Sequence, residues 1–321
     1  MKTKVLILSF FLFSITIRSQ QFLPIWPADK MPNTKGLKLE HIEERERITQ
    51  VAQPGMYTFF TSKEENTGSA VLICPPGGYA KLTYAIAGFQ FAKWLNTMGI
   101  NAFVLIHRLP TSPDLIEREK GAVQDAQRAM KIIRSNAVTW GITPSKIGIM
   151  GASAGGHLAT TLGTHKEDYS IINDTTDQFS FQPNFMILIS PVITMGEYAH
   201  KGSLNNLLGN KPAQQHIDYF SNEKHVSETT PPAFIVLAQN DPVVNPINSI
   251  LFYQAMLEHN VSGSLHIFPE GGHSIALKNS PKSINLWTNL CEEWFNDLSI
   301  LDKSKTEITP NKSKLLKSGR F

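Results

Sequence analysis

Ser153 sits in the pentapeptide Gly151-Ala152-Ser153-Ala154-Gly155, and Asp241 and His273 follow it in that order along the chain. Together these residue types can carry out nucleophilic acyl chemistry. A serine hydroxyl attacks a carbonyl carbon effectively only when a base takes its proton. Histidine is that base when a carboxylate holds its ring in one tautomer and stabilises the charged form. The G-x-S-x-G spacing adds a demand on shape. It predicts a sharp strand-to-helix turn that holds the serine in a strained backbone conformation with its hydroxyl projecting outwards. A Cβ at either glycine would collide with the neighbouring strand or helix. The N–H of Ala154, opening the helix, then points at the oxygen that becomes negative during attack. The alternative for the pentapeptide alone is a tight turn that happens to contain serine, so the flanking elements decide.

The apolar run Lys146-Ile147-Gly148-Ile149-Met150 enters this turn and reads as a buried strand. The small-residue run Gly156-His157-Leu158-Ala159-Thr160-Thr161-Leu162 leaves it and reads as a helix. In sheets built from such units, sites lie at the carboxyl ends of the strands. Each partner of Ser153 should therefore directly follow a strand. Asp241 does so after Phe234-Ile235-Val236-Leu237-Ala238, whereas Asp218, Glu223 and Glu228 lie in a polar insertion. His273 ends the glycine-rich loop Pro269-Glu270-Gly271-Gly272-His273 after Leu265-His266-Ile267-Phe268. His266 lies within that strand and His259 at a helix end, so both read as structural, as does His157 one turn beyond Ser153. A second oxyanion donor is expected from Gly77 and Gly78 in Pro75-Pro76-Gly77-Gly78-Tyr79, which follows the strand before the first long helix. Tyr79 and Arg108 are the candidates for touching substrate, and a structural loop contact is the favoured alternative for Arg108. Asp125, Arg128 and Arg134 read as surface or capping charges.

The elements that must position these residues alternate along the chain. Strands are expected at 41–48, 56–60, 70–74, 101–106, 146–150, 184–189, 233–238 and 264–268. Helices are expected at 85–98, 120–140, from 156, at 248–258 and at 281–298. Strand 70–74 is apolar throughout and therefore central. The alternation predicts an α/β fold with a mainly parallel central sheet, helices on both faces and a small cap-like insertion at about 190–232. Three segments follow: a signal peptide at 1–19, one domain at 20–300, and a polar, Lys-rich tail at 301–321 that reads as disordered. Lys2 and Lys4 precede an apolar run from Val5 to Ile17 that is too short to span a bilayer, so an exported protein without a membrane span is expected.

The chain of 321 residues carries a formal net charge of +3, and its hydrophobic content of 41% is enough for a sizeable core. The positive charge resides in the two termini, and the body between them is mildly acidic. No basic stripe marks a nucleic-acid surface. Cys74, at the end of a central strand, and Cys291, on the last helix, are expected to be buried free thiols.

Several segments resemble the α/β-hydrolase carbohydrate esterases of the acetyl xylan esterase type, relatives of the hormone-sensitive-lipase-like esterases. They include Cys74-Pro75-Pro76-Gly77-Gly78-Tyr79, residues 148–163, Ser190-Pro191-Val192-Ile193-Thr194-Met195, Asn206-Leu207-Leu208-Gly209 and Gly271-Gly272-His273. The family's loop usually reads P-G-G-G-Y, and here Pro76 replaces the first glycine. Proline has no N–H, but the donors the resemblance implies are the later glycines. The resemblance implies removal of acetyl groups from acetylated sugars with neither metal nor cofactor. A prolyl-oligopeptidase-like peptidase, an esterase for larger acyl groups such as feruloyl, and a non-catalytic carbohydrate-binding protein are the competing readings. Only about fifty residues precede the sheet, too few for the propeller that such peptidases carry.

Overall fold

The computed structural model describes residues 20–273, 275–277 and 282–303. The expected signal peptide and residues 304–321 of the expected tail lie outside the described residues. Eight strands form the central sheet, in the spatial order β1-β4-β6-β5-β7-β8-β9-β10. They are β1 (Gln20–Pro24), β4 (Gly55–Phe59), β5 (Ala70–Cys74), β6 (Asn101–Ile106), β7 (Ile147–Ala152), β8 (Met186–Ile189), β9 (Ala233–Ala238) and β10 (Gly263–Phe268). From β6 to β10 all neighbours run parallel, and β4 and β1 close one edge antiparallel.

The sheet is apolar because both of its faces are covered. Strand β5 sends Ala70, Leu72 and Cys74 into one core cluster and Val71 and Ile73 into the other. The first cluster is completed by α2 (Gly121–Ser135), α3 (Ala154–Thr164) and α6 (Ile247–Glu258), the second by α1 (Gln90–Thr97) and α7 (Trp287–Asp297). Between β8 and β9 the chain forms α4 (Lys201–Leu208), α5 (Gln214–Tyr219) and a short 3-10 turn. Among the described residues no helix is long and apolar enough to cross a membrane. Cys74 and Cys291 are both buried and free.

Several boundaries differ from those expected. Residues 41–48 are not one edge strand but a hairpin of β2 (Ile42–Glu44) and β3 (Arg47–Gln50), outside the main sheet. Arg45 and Glu46 form its turn with φ of 50° and 59°, a left-handed conformation normally supplied by Asn and Gly. Strand β1 was not expected, because Pro24 and the prolines after it mask a strand that lies at the sheet edge. The helix expected at 120–140 ends at Ser135 and gives way to turns. The helix expected at 85–98 opens with a π turn (Ala85–Phe89), and that at 281–298 is preceded by a 3-10 turn (Lys282–Leu286).

Candidate active site

Strand β7 delivers Ser153 to the carboxyl edge of the sheet, and α3 begins at the next residue. Ser153 has φ 54° and ψ −123°, a strained conformation for a side-chain-bearing residue. Its geometry is fixed on both sides: its N–H donates to Ile189 O at 3.0 Å, and its carbonyl accepts from Val192 N at 3.0 Å. The two glycines of the pentapeptide are set by close approach. A Cβ on Gly151 would lie 2.1 Å from Gly155 O, and one on Gly155 would lie 2.0 Å from Cys74 O on β5. Strand and helix meet too closely there for any side chain.

His273 reaches the serine from the loop after β10. Its Nε2 lies 2.9 Å from Ser153 Oγ, and its Nδ1 lies 2.7 Å from Asp241 Oδ2. A carboxylate only accepts, so Nδ1 carries the hydrogen and the bare Nε2 is left to receive the serine proton. The second oxygen of Asp241 accepts from Val243 N at 2.8 Å and Val244 N at 3.0 Å. Burial would raise the Asp241 carboxyl, but the His273 and backbone hydrogen bonds outweigh it and hold it below the usual carboxylate range. Asp241 is therefore the ionised, orienting member of the trio. Asn240 has a part that sequence reasoning missed. Its side-chain oxygen accepts from Gly271 N at 3.0 Å and Gly272 N at 2.9 Å, tying down the loop that ends in His273.

The loop after β5 faces the serine. Gly77 and Gly78 adopt φ of 147° and 62°. Gly77 O accepts from Ala80 N and Lys81 N at 3.1 and 3.2 Å, which turns the loop tightly. Two side-chain hydrogen bonds anchor it. Asn206 of α4 donates its side-chain N–H to Gly78 O at 2.8 Å. The Tyr79 hydroxyl lies 2.8 Å from His157 Nδ1 on α3, and His157 Nε2 lies 2.8 Å from Phe220 O in the segment between β8 and β9. Phe220 O can only accept, so His157 carries its hydrogen on Nε2 and Tyr79 donates to Nδ1. Burial, opposed by the Phe220 bond, lowers the His157 imidazole to about 4, so the ring is neutral at ordinary pH.

Of the two candidates for touching substrate, Tyr79 is corrected and Arg108 takes the structural role favoured for it. Tyr79 is buried and spends its hydroxyl on His157, as above. Arg108 is also buried, and its guanidinium is consumed by Asp125 Oδ1 (2.8 Å), Pro32 O (2.7 Å) and Gln124 Oε1 (3.3 Å). Neither side chain lines the cavity at Ser153. The reading of the α2 charges as surface groups is corrected as well. Asp125 is fully buried between Arg108 and the Trp26 indole N–H, and Arg128 is buried against Asp174 and Asp177. Arg134 is partly buried and binds the carbonyls of Ser180 and Gln182. Helix α2 packs on all sides, so its charges have to be paired inside the protein.

Ser153 and His273 open into a cavity of about 660 Å³. Ile86, Phe91, Ile189, Val243 and Ile275 give it apolar walls, and Gly77, Gly78, His200 and Asn206 give it polar ones. The cavity leaves room for an acyl group beside Ser153, with the Gly77-Gly78 loop along its wall.

A family model described as BD-FAE matches residues 117–256. The chain is similar to an acetylxylan esterase of Xylanibacter ruminicola, with 37% identity over 215 residues, covering 65% of this chain and 42% of that protein. It is similar to endo-1,4-beta-xylanase B of Butyrivibrio fibrisolvens, with 36% identity over 209 residues, covering 65% of this chain and 33% of that protein. The chain thus spans less than half the length of these curated relatives. Among solved structures it resembles an acetyl ester-xyloside bifunctional hydrolase from Caldicellulosiruptor lactoaceticus. There the TM-score is 0.74 and the identity 30%, over 87% of this chain and 97% of the other.

Proposed function

The chain belongs to the α/β-hydrolase esterase family that includes acetyl xylan esterases, and from that premise we propose that it removes acetyl groups from acetylated sugars or xylan-like polysaccharide. The observation that carries the reading is the hydrogen-bonded series from Ser153 through His273 to Asp241 at the mouth of a cavity.

His273 Nε2 takes the proton of Ser153 as Oγ attacks the acetyl carbonyl carbon. Asp241 keeps Nδ1 protonated and stabilises the imidazolium that forms. The N–H groups of Gly78 and Ala154, with Gly77 beside them, receive the oxyanion of the tetrahedral intermediate. Each such donor is worth about 3 kcal/mol of barrier. The intermediate collapses, the sugar hydroxyl leaves with the proton held by His273, and the acetyl group stays on Ser153. Water, deprotonated by His273, then attacks the acetyl-enzyme and releases acetate. The charged start and short apolar run of residues 1–19 support export, which would bring the enzyme to polysaccharide outside the cytoplasm.

The test compares 4-nitrophenyl acetate, 4-nitrophenyl butyrate and O-acetylated xylan as substrates for the protein lacking residues 1–19. The expected result is acetic acid released from the xylan, with acetate turned over faster than butyrate. Butyrate hydrolysed faster than acetate would instead assign a larger acyl group.

A further inference from the structure

His200 lies just before α4, in the wall of the cavity that holds Ser153. Its ring caps that helix. Nδ1 accepts the Ser203 N–H at 3.2 Å and lies 2.8 Å from Ser203 Oγ. A ring nitrogen that accepts an amide N–H carries no hydrogen, so the neutral imidazole has its hydrogen on Nε2. Nε2 has no protein partner among the described residues. The ring is partly buried, and its Cε1 lies 3.7 Å from where a Cβ on Gly78 would stand, which places it beside the oxyanion loop. Burial lowers this imidazole, and the nearby His273 adds to the effect against the opposing pull of Asp241. The group on the cavity wall is thus a neutral N–H donor whose direction is set by a helix cap and whose acceptor comes from solvent or from a ligand in the cavity.

The two sides of an ester have different needs. The acyl oxygen is served by the oxyanion loop and Ala154, so a further donor on the wall faces the alcohol. We propose that His200 is a specificity-determining residue whose Nε2 hydrogen bonds an oxygen of a polyhydroxylated leaving alcohol, selecting sugar esters over aryl and alkyl esters. This rests on the esterase reading above. The same helix carries Asn206, which holds Gly78, so one element positions the oxyanion loop and reads the alcohol.

The test uses His200→Asn. Asparagine is among the best N-capping residues, so the variant keeps a partner for Ser203 N–H while its shorter side chain withdraws the donor from the cavity. kcat/KM is measured for an O-acetylated xylo-oligosaccharide and for 4-nitrophenyl acetate, whose alcohol offers no comparable hydroxyl. One neutral hydrogen bond is worth about fivefold. The ratio of the two constants should fall by that factor, mainly through a higher KM for the sugar ester. Ser203→Ala, which loosens the ring without removing it, should lower the ratio by less, and it serves as the reading if His200→Asn does not fold. An unchanged ratio in a folded His200→Asn variant overturns the role of His200 and leaves the esterase standing. A wild-type protein that hydrolyses the aryl ester but releases no acetate from the sugar overturns both the role of His200 and the sugar-acetyl reading.

Discussion

At the scale of single residues, Asp241 has three hydrogen-bond donors on two oxygens and a side chain almost wholly removed from solvent. Its effect on Ser153 runs through the tautomer of His273. Asp241→Asn would place an amide against Nδ1 and favour the ring form with its hydrogen on the wrong nitrogen. kcat should fall by about 10⁴-fold, with little change in KM, as steady-state hydrolysis of 4-nitrophenyl acetate would show. A fall below tenfold would mean that Asp241 does not orient the base. Ser153, Asp241 and His273 are legible in the sequence because the chemistry restricts each to the end of a strand, and few residues meet that condition. Arg108 and Asp125 are not, because a buried ion pair is written in the same letters as a surface one. The pattern itself points the other way: Gln124, Arg128, Lys131 and Arg134 share one polar face of α2, which reads as solvent-facing until the neighbouring segments are seen to cover it.

At the scale of elements, α4 holds the Gly77-Gly78 loop, the proposed source of the oxyanion donors, from outside through Asn206 and Gly78 O, and Tyr79 holds it from below through His157. Asn206→Ala removes the outer tie without touching the nucleophile. A loop displaced by a fraction of an ångström misaims its N–H groups, and such errors cost about 10- to 100-fold in rate. The expected result is a kcat reduced within that range, with an unfolding midpoint close to that of the wild type. An unchanged kcat would mean that the loop needs no support from α4. The strands and helices of the parallel sheet are legible from apolar runs and their alternation. The β2–β3 hairpin is not, because Arg45-Glu46 carries none of the turn residues that normally mark two left-handed positions. The anchoring contacts are not either, since Asn206 and His200 meet the loop only once the segment between β8 and β9 has folded over the cavity.

At the scale of the whole molecule, buried histidines tie stability to pH. His157 is held near 4 in the folded protein, against about 6.5 for an exposed imidazole. Above that upper value neither state carries the proton. As pH falls below it, the unfolded chain takes up a proton that the folded protein refuses, and stability is lost until about pH 4. The full loss amounts to about 3 kcal/mol. His107 and His165 are lowered in the same sense, both chiefly by burial. The contribution of His157 is therefore read as a difference. Urea unfolding at pH 8 and pH 5 should show a steeper loss for the wild type than for His157→Gln, and equal slopes would contradict a neutral His157. The central claim concerns Ser153 as the nucleophile of a sugar acetylesterase. Its most direct test is the rate of acetic acid release from O-acetylated xylan by the wild type and by Ser153→Ala. A wild-type rate that falls by at least about 10⁴-fold in the variant is the predicted result. Equal rates in the two proteins would contradict the account.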